Sequence, residues 1–160
     1  MASYIPYGSY IPCGSYIPYG SYIHLSVSYI RNKLRVEEKY MAESVLRDRS
    51  KEFAKKIVFL VNKIKEDKKE YTLTNQLLKS GTSIGANVHE AQYAQSTDDF
   101  VSKLEIALKE CFETEYWFNL LFETNYIDET AYNELNSECG RLRKMLISSC
   151  TTIKTNNTFS

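Results

Sequence analysis

The sequence predicts an all-α fold: an antiparallel up-down-up-down four-helix bundle behind a disordered Tyr/Pro/Gly repeat leader. Three observations carry this reading. All three prolines lie at or before Pro18, and beyond Gly20 only Gly81, Gly85 and Gly140 remain, so little interrupts a helix after the leader. Apolar residues recur at steps of three and four in four separate stretches. Short polar connections join those stretches, which favours antiparallel neighbours.

The elements follow in order. Residues 1–40 form the leader. In it Gly-Ser-Tyr-Ile-Pro-Tyr/Cys recurs with a period of six from Ser3 to about Ile23, and eight of the thirteen tyrosines lie before Met41. A unit carrying both Pro and Gly excludes helix and central strand, and six residues is too short for a helical-repeat solenoid. A tyrosine-rich self-associating arm competes with a disordered leader upstream of an initiator at Met41; the second reading is preferred. The bundle spans 41–152. Its first stripe is Leu46, Ser50, Phe53, Ile57, Leu60 and Ile64, followed by a polar connection over Lys65–Glu70. Leu73, Leu77, Gly81, Ile84, Val88 and Ala91 make the second. Ser96 offers an N-cap to the third, which runs through Phe100, Leu104, Ala107, Leu108, Cys111, Phe118, Leu121 and Phe122. Asn125–Asp128 is a turn with Asp128 as the next N-cap. Tyr132, Leu135, Cys139, Leu142, Leu146 and Cys150 give the fourth stripe, and 153–160 is a polar tail expected to fray.

Composition narrows the function classes. Lys and Arg number 20, as do Asp and Glu, so the formal net charge is zero, which argues against a strongly basic nucleic-acid binder. No apolar run is long enough to cross a bilayer, and the N-terminus lacks the regions of a secretory signal; no membrane partner is expected. Cys13, Cys111, Cys139 and Cys150 show no CxxC spacing, which suits a reducing cytoplasm. Catalytic templates fail. Neither His24 nor His89 has Glu three residues before it, as a di-iron bundle needs. His89-Glu90 lacks the second zincin histidine, because Tyr93 stands there. Gly81–Gly85 lacks the Lys-Ser/Thr of a phosphate loop. No catalytic residue, metal ligand or cofactor is assigned, and the chain is read as a non-enzyme.

Two features point toward assembly. Ser80, Gly81, Ser83, Gly85 and Ala86 crowd one stretch of the second helix, where each glycine costs about 1 kcal/mol against alanine. A neighbouring helix on one side and another subunit on the other would both explain them. Trp117 lies off the main stripe of the third helix, as an interface anchor or as part of a wide core face.

The residues Lys79-Ser80-Gly81-Thr82-Ser83-Ile84-Gly85-Ala86-Asn87-Val88-His89-Glu90-Ala91, with Ala94-Gln95-Ser96 and Asp99-Phe100, resemble the 23S rRNA-intervening-sequence protein family of four-helix bundles. So do Lys103-Leu104-Glu105-Ile106-Ala107-Leu108-Lys109-Glu110 and Glu113-Thr114-Glu115-Tyr116-Trp117. The resemblance covers roughly Val45–Cys150. It implies a cytoplasmic homo-oligomer, typically a pentameric ring, of undefined molecular role and without catalytic residues. Similar proteins, the accessory variability determinants of diversity-generating retroelements, partner a reverse transcriptase and bind nucleic acid through a basic surface. Gly81, Ser83, Gly85, Asn87, Glu90, Glu110, Glu115 and Trp117 are carried over as packing and assembly candidates.

Residues 41–160 hold 16 Lys and Arg against 18 Asp and Glu, so the bundle has no global surplus for phosphate neutralisation. Local clusters exist at Lys51, Lys55, Lys56 and Lys63, and at Arg141, Arg143 and Lys144. They form either an RNA- or DNA-binding patch or a solvated face paired with Glu52, Glu66 and Glu138. The leading expectation is a non-enzymatic homo-oligomeric scaffold or adaptor. The alternative is an RNA/DNA-binding accessory protein associated with a reverse transcriptase or ribosomal RNA.

Overall fold

The computed structural model describes the backbone of residues 19–158, with side chains described at 27–31, 33–34 and 44–155. The described backbone is all-helical: α1 (Tyr19–Lys68), α2 (Thr72–Ala91), α3 (Thr97–Glu123) and α4 (Glu129–Thr158). The chain divides into two compact units between Tyr40 and Met41, and every packing contact below lies in the second. The repeat over residues 1–18 lies outside the described residues. From Tyr19 the backbone is helical, whereas the repeat argument excluded helix as far as Ile23. The last Pro is Pro18 and the last leader Gly is Gly20, so the breakers end where the helix starts.

The four stripes are the core. Phe53, Ile57, Val61, Leu77, Ile84, Val88, Leu104, Phe118, Leu121 and Leu146 are all fully buried. Val61, Val101 and Ile153 join the stripes read from sequence, while Leu60, Leu73, Phe100 and Tyr132 pack only at its margin. Four buried hydroxyls meet no cost of desolvation because each returns to its own helix. Ser50 donates to the Arg47 carbonyl (2.9 Å), Thr74 to Glu70 (2.7 Å), Ser80 to Gln76 (3.1 Å) and Thr114 to Glu110 (2.7 Å).

Glycine sets the α1–α2 distance. A Cβ at Gly81 would stand 2.9 Å from Ile57 Cγ1, and one at Gly85 would stand 3.3 Å from the Ser50 carbonyl oxygen. As α2 advances from 81 to 85, its partner on α1 falls from 57 to 50, so the two helices run oppositely. Phe53 of α1 meets Phe118 of α3 edge-on at 6.4 Å across the core. On the far side, Lys154 of α4 pairs with Glu105 of α3 at 2.5 Å, while Tyr132 stacks on Phe122 at 4.5 Å. That pairing is antiparallel too.

The connections rest on local chemistry. Helix α1 continues to Lys68, through most of the stretch read as a polar connection, and Lys69 turns the chain with φ 56°. Glu70 then caps α2, its carboxylate accepting from the backbone N–H groups of Thr72, Leu73 and Thr74 at 2.9 Å each. Burial pushes this carboxyl up, and the backbone N–H bonds outweigh it, holding Glu70 below the usual range. Ser96 caps α3 by accepting from Asp99 N–H, and Asp128 caps α4 by accepting from Ala131 N–H at 2.8 Å. Asn125, at φ 60°, closes α3. Helix α4 runs past 152 to Thr158, because Ile153 continues the stripe of Leu146 and Cys150 and is buried with it.

These contacts separate two helix-interior glycines of equal intrinsic propensity. A Cβ at Gly140 would meet nothing within 4 Å. Gly140→Ala is expected to raise the unfolding free energy by about 1 kcal/mol, the helix propensity gained. Gly81→Ala is expected to lower it by about 1–2 kcal/mol, since overpacking against Ile57 outweighs the same gain. Urea denaturation of the full chain measures both, and equal stability of the two variants would refute the close-approach account.

Candidate functional site

The basic residues are dispersed rather than gathered. Lys55 pairs with Glu52 at 2.7 Å on its own helix. Lys56 reaches α4 and is held by Glu134 (2.9 Å) and Glu138 (2.5 Å); the Glu138 carboxylate, then that of Glu134, holds its pKa above the ordinary lysine value. Arg141 lies 3.9 Å from the same Glu138. Lys56 and Arg141 line one α1–α4 groove of about 550 Å³, but Asp48, Glu52 and Glu138 line it as well. Arg143 turns instead to α3, pairing with Glu115 at 3.2 Å and covering the Phe112 ring at 5.2 Å. Lys51 lines a separate α1–α2 groove, and Lys63 lies beside the α3–α4 turn. Lys51, Lys63 and Lys144 are exposed. The structure therefore brings Lys56 and Arg141 together and spreads the other candidates over different faces.

The assembly candidates divide as well. Gly81 is buried against Ile57 and serves the fold. Gly85 does the same against Ser50 and also lines the α1–α2 groove. Asn87 turns its amide back to the Ser83 carbonyl at 2.9 Å, so this pair serves α2 itself. Glu90 accepts from Lys103 of α3 at 2.6 Å, and its carboxylate raises the Lys103 pKa. Glu115 is engaged by Arg143. Trp117 packs at the core margin and donates its indole N–H to Glu113 at 3.2 Å. Of the two readings of its place off the stripe this fits the wide core face, and Trp117 is not exposed.

Its neighbours are. Phe112 and Tyr116 stand one turn apart on α3 and are 50% and 58% exposed; Ile147 on α4, one turn beyond Arg143, is 45% exposed. Sequence carried the signal as two aromatics at i, i+4 spacing outside the apolar stripe, which the search for the core passed over. His89 in the last turn of α2 and Tyr93 just beyond its end meet edge-on at 5.4 Å, and both are exposed.

Other chemistry is quiet among the described residues. No group of three or more His, Cys, Asp and Glu is placed to hold a metal ion. Cys111, Cys139 and Cys150 are free and buried. The Cys139 thiol donates to the Cys111 carbonyl at 3.5 Å; the adjoining Cys111 side chain, then burial, pushes Cys139 far above the ordinary thiol value, which makes it a packing residue rather than a nucleophile. Cys13 and the His24 side chain lie outside the described residues. Asn136 Oδ1 is a buried side-chain acceptor with no partner, beside a chain in which Asn136 donates to Tyr132 and Tyr132 to Asn119. No described helix is long and apolar enough to cross a membrane.

Comparison with known proteins agrees with this geometry. The family described as 23S rRNA-intervening sequence protein matches residues 42–148. A solved structure, of a protein of unknown function from the S23 ribosomal protein family of Bacteroides thetaiotaomicron VPI-5482, is similar at 48% identity and a TM-score of 0.65. The likeness covers 66% of this chain and 97% of that one. No curated protein matches the chain.

Glu110 gives this face a pH signature. Burial, then the Glu113 charge, raises its carboxyl above the ordinary value of 4.5, against the opposing pull of Lys79 and Lys109. A carboxyl that binds its proton more tightly when folded favours the fold in acid. That contribution is lost as pH climbs through the raised pKa. Glu110→Gln is therefore expected to raise the melting temperature at pH 7, with the gap to wild type closing as the pH falls through the raised pKa and closed below 4.5. Thermal melts across that window check it, and a gap independent of pH would contradict the assignment.

Proposed function

The chain belongs to the 23S rRNA-intervening sequence protein family, and we propose that it acts as a non-enzymatic, cytoplasmic homo-oligomeric scaffold or adaptor. Its protomer, on this reading, is an antiparallel up-down-up-down four-helix bundle over the second unit, and its assembly is a ring, five copies being the expected number. One observation carries the proposal. Phe112, Tyr116 and Ile147 present large apolar side chains to solvent on adjoining helices, outside a core already filled by the four stripes. Such a patch is the mark of a protein interface.

A second reading, an accessory protein for RNA or DNA beside a reverse transcriptase or ribosomal RNA, draws on the charge of α1. Its residues 44–68 carry eight Lys and Arg against four Asp and Glu. Phosphate binding requires cations that no carboxylate already neutralises, and Lys55, Lys56, Arg141 and Arg143 each face one.

Native mass spectrometry of the full chain, purified in low salt without nuclease, separates the two. Scaffolding predicts a clean multiple of 18.5 kDa. Heterogeneous extra mass removed by nuclease or high salt would put nucleic acid first. A monomer would refute the oligomer.

A further inference from the structure

Charge is segregated by helix. Helix α3 carries seven acidic residues against two lysines, while residues 44–68 of α1 have a surplus of four cations. These two helices stand on opposite sides of the second unit. Helix α1 adjoins α2 through Gly81 and Gly85 and α4 through Lys56. Helix α3 adjoins the same two through Lys103–Glu90 and Arg143–Glu115. Phe53 and Phe118 join α1 to α3 through the core. In formal charge the α1 side is thus basic and the α3 side acidic. Ion pairs to Asp48, Glu52, Glu134 and Glu138 neutralise Arg47, Lys55 and Lys56 and leave Lys51, among the described residues, as the unpaired cation of the α1 side nearest α2.

Shape follows the same division. The α1 side holds a groove of about 610 Å³ between α1 and α2, lined by the small residues Ala54, Thr82, Gly85 and Ala86, by Arg47, Asp48 and Lys51, and by His89. Arg47 is paired with Asp48 at 3.1 Å, whereas Lys51 has no carboxylate partner among the described residues. The acidic side holds Phe112 and Tyr116, and Glu113 lies between them in sequence with no cationic partner among the described residues.

We propose that the acidic α3 side of one copy, led by Phe112 and Tyr116, docks into the α1–α2 groove of the next, with Glu113 facing Lys51. The occupant is a second copy of this chain because the two sides are complementary in formal charge and the α3 ridge supplies bulk where the groove is lined by small residues. Like sides would repel: two α3 faces bring acid to acid, and two α1 faces bring cation to cation. Different patches meet, so the contact is heterologous. Each copy keeps one side open for another, which closes a ring where the rotation allows. This inference rests on the homo-oligomer proposed above and adds which faces meet.

The test uses the full chain with two surface variants. Tyr116→Asp removes the apolar ridge and Ala86→Arg fills the groove; both positions are exposed, and thermal melts establish that each variant is folded. Native mass spectrometry should show each alone as a monomer. Mixed in equal amounts they should form a dimer and stop there, because one supplies an intact ridge and the other an intact groove. In a second readout, Lys51→Glu should weaken association about tenfold at low salt, and Glu113→Lys on the same chain should restore it. A wild-type oligomer whose two variants still assemble, or whose mixed variants stay monomeric, would overturn the docking of these faces while leaving the oligomer standing. A monomeric wild type would overturn both.

Discussion

The close approach of α1 and α2 is the constraint on which the second unit depends. Two glycines let the Ile57 side chain and the Ser50 carbonyl come within van der Waals distance of the α2 backbone. Once Ile57 is seated over Gly81, the rotation of α1 about its axis is fixed. Phe53, one turn earlier, must then point across the core to Phe118. Lys56, on the flank turned away from α2, must face Glu134 and Glu138 of α4. Ser50 can be buried at the crossing because its hydroxyl is satisfied by the Arg47 carbonyl and asks nothing of α2.

That constraint explains what the sequence made legible and what it hid. The four helices could be read because their apolar residues keep a helical period over long stretches free of Pro. Core membership at the edges could not. A strict three-and-four count places Leu60 and Leu73 in the core, whereas Val61 and Thr74 are the residues buried. A straight helix drifts against a fixed repeat over several turns, and a threonine that bonds its own i−4 carbonyl packs like valine. The α1–α2 turn was hidden for another reason. Its cap is Glu70 reaching three backbone N–H groups, not one of the short polar side chains that signal a helix start.

The surface was less legible than the core. Lys55 and Lys56, adjacent in sequence, engage carboxylates on different helices, and Arg141 and Arg143 part toward α1 and α3. These are decisions of tertiary register, and the partners of Lys56 lie about eighty residues away in the chain. Exposed ion pairs of this kind contribute on the order of 0–1 kcal/mol each. Their consequence is chiefly electrostatic: they convert a run of cations in the sequence into locally neutral surface. Trp117 taught the same lesson for aromatics. Displacement from the stripe left an interface anchor and a wide core face both open; its indole packs at the core margin, and Tyr116 beside it faces out.

Partner chemistry follows from what each surface leaves unmet. A polyanion rewards a row of unneutralised cations spaced to follow a backbone, and its affinity scales with the number of phosphates engaged. Lys51, Lys63 and Lys144 do not make such a row, since Lys51 borders the α1–α2 groove, Lys63 the α3–α4 turn, and Lys144 lies on α4. A protein partner rewards apolar area that water holds at a cost, ringed by charge that selects orientation. Phe112 and Tyr116 supply that area, and the acidic composition of α3 supplies the selection. The apolar and electrostatic features thus coincide on α3, while Arg47, Lys55 and Lys56 of α1 are already held by neighbouring carboxylates. Under the proposed homo-oligomer, that coincidence supplies the apolar area and the orientation, with the small-residue groove beside Lys51 as the complement within the same chain.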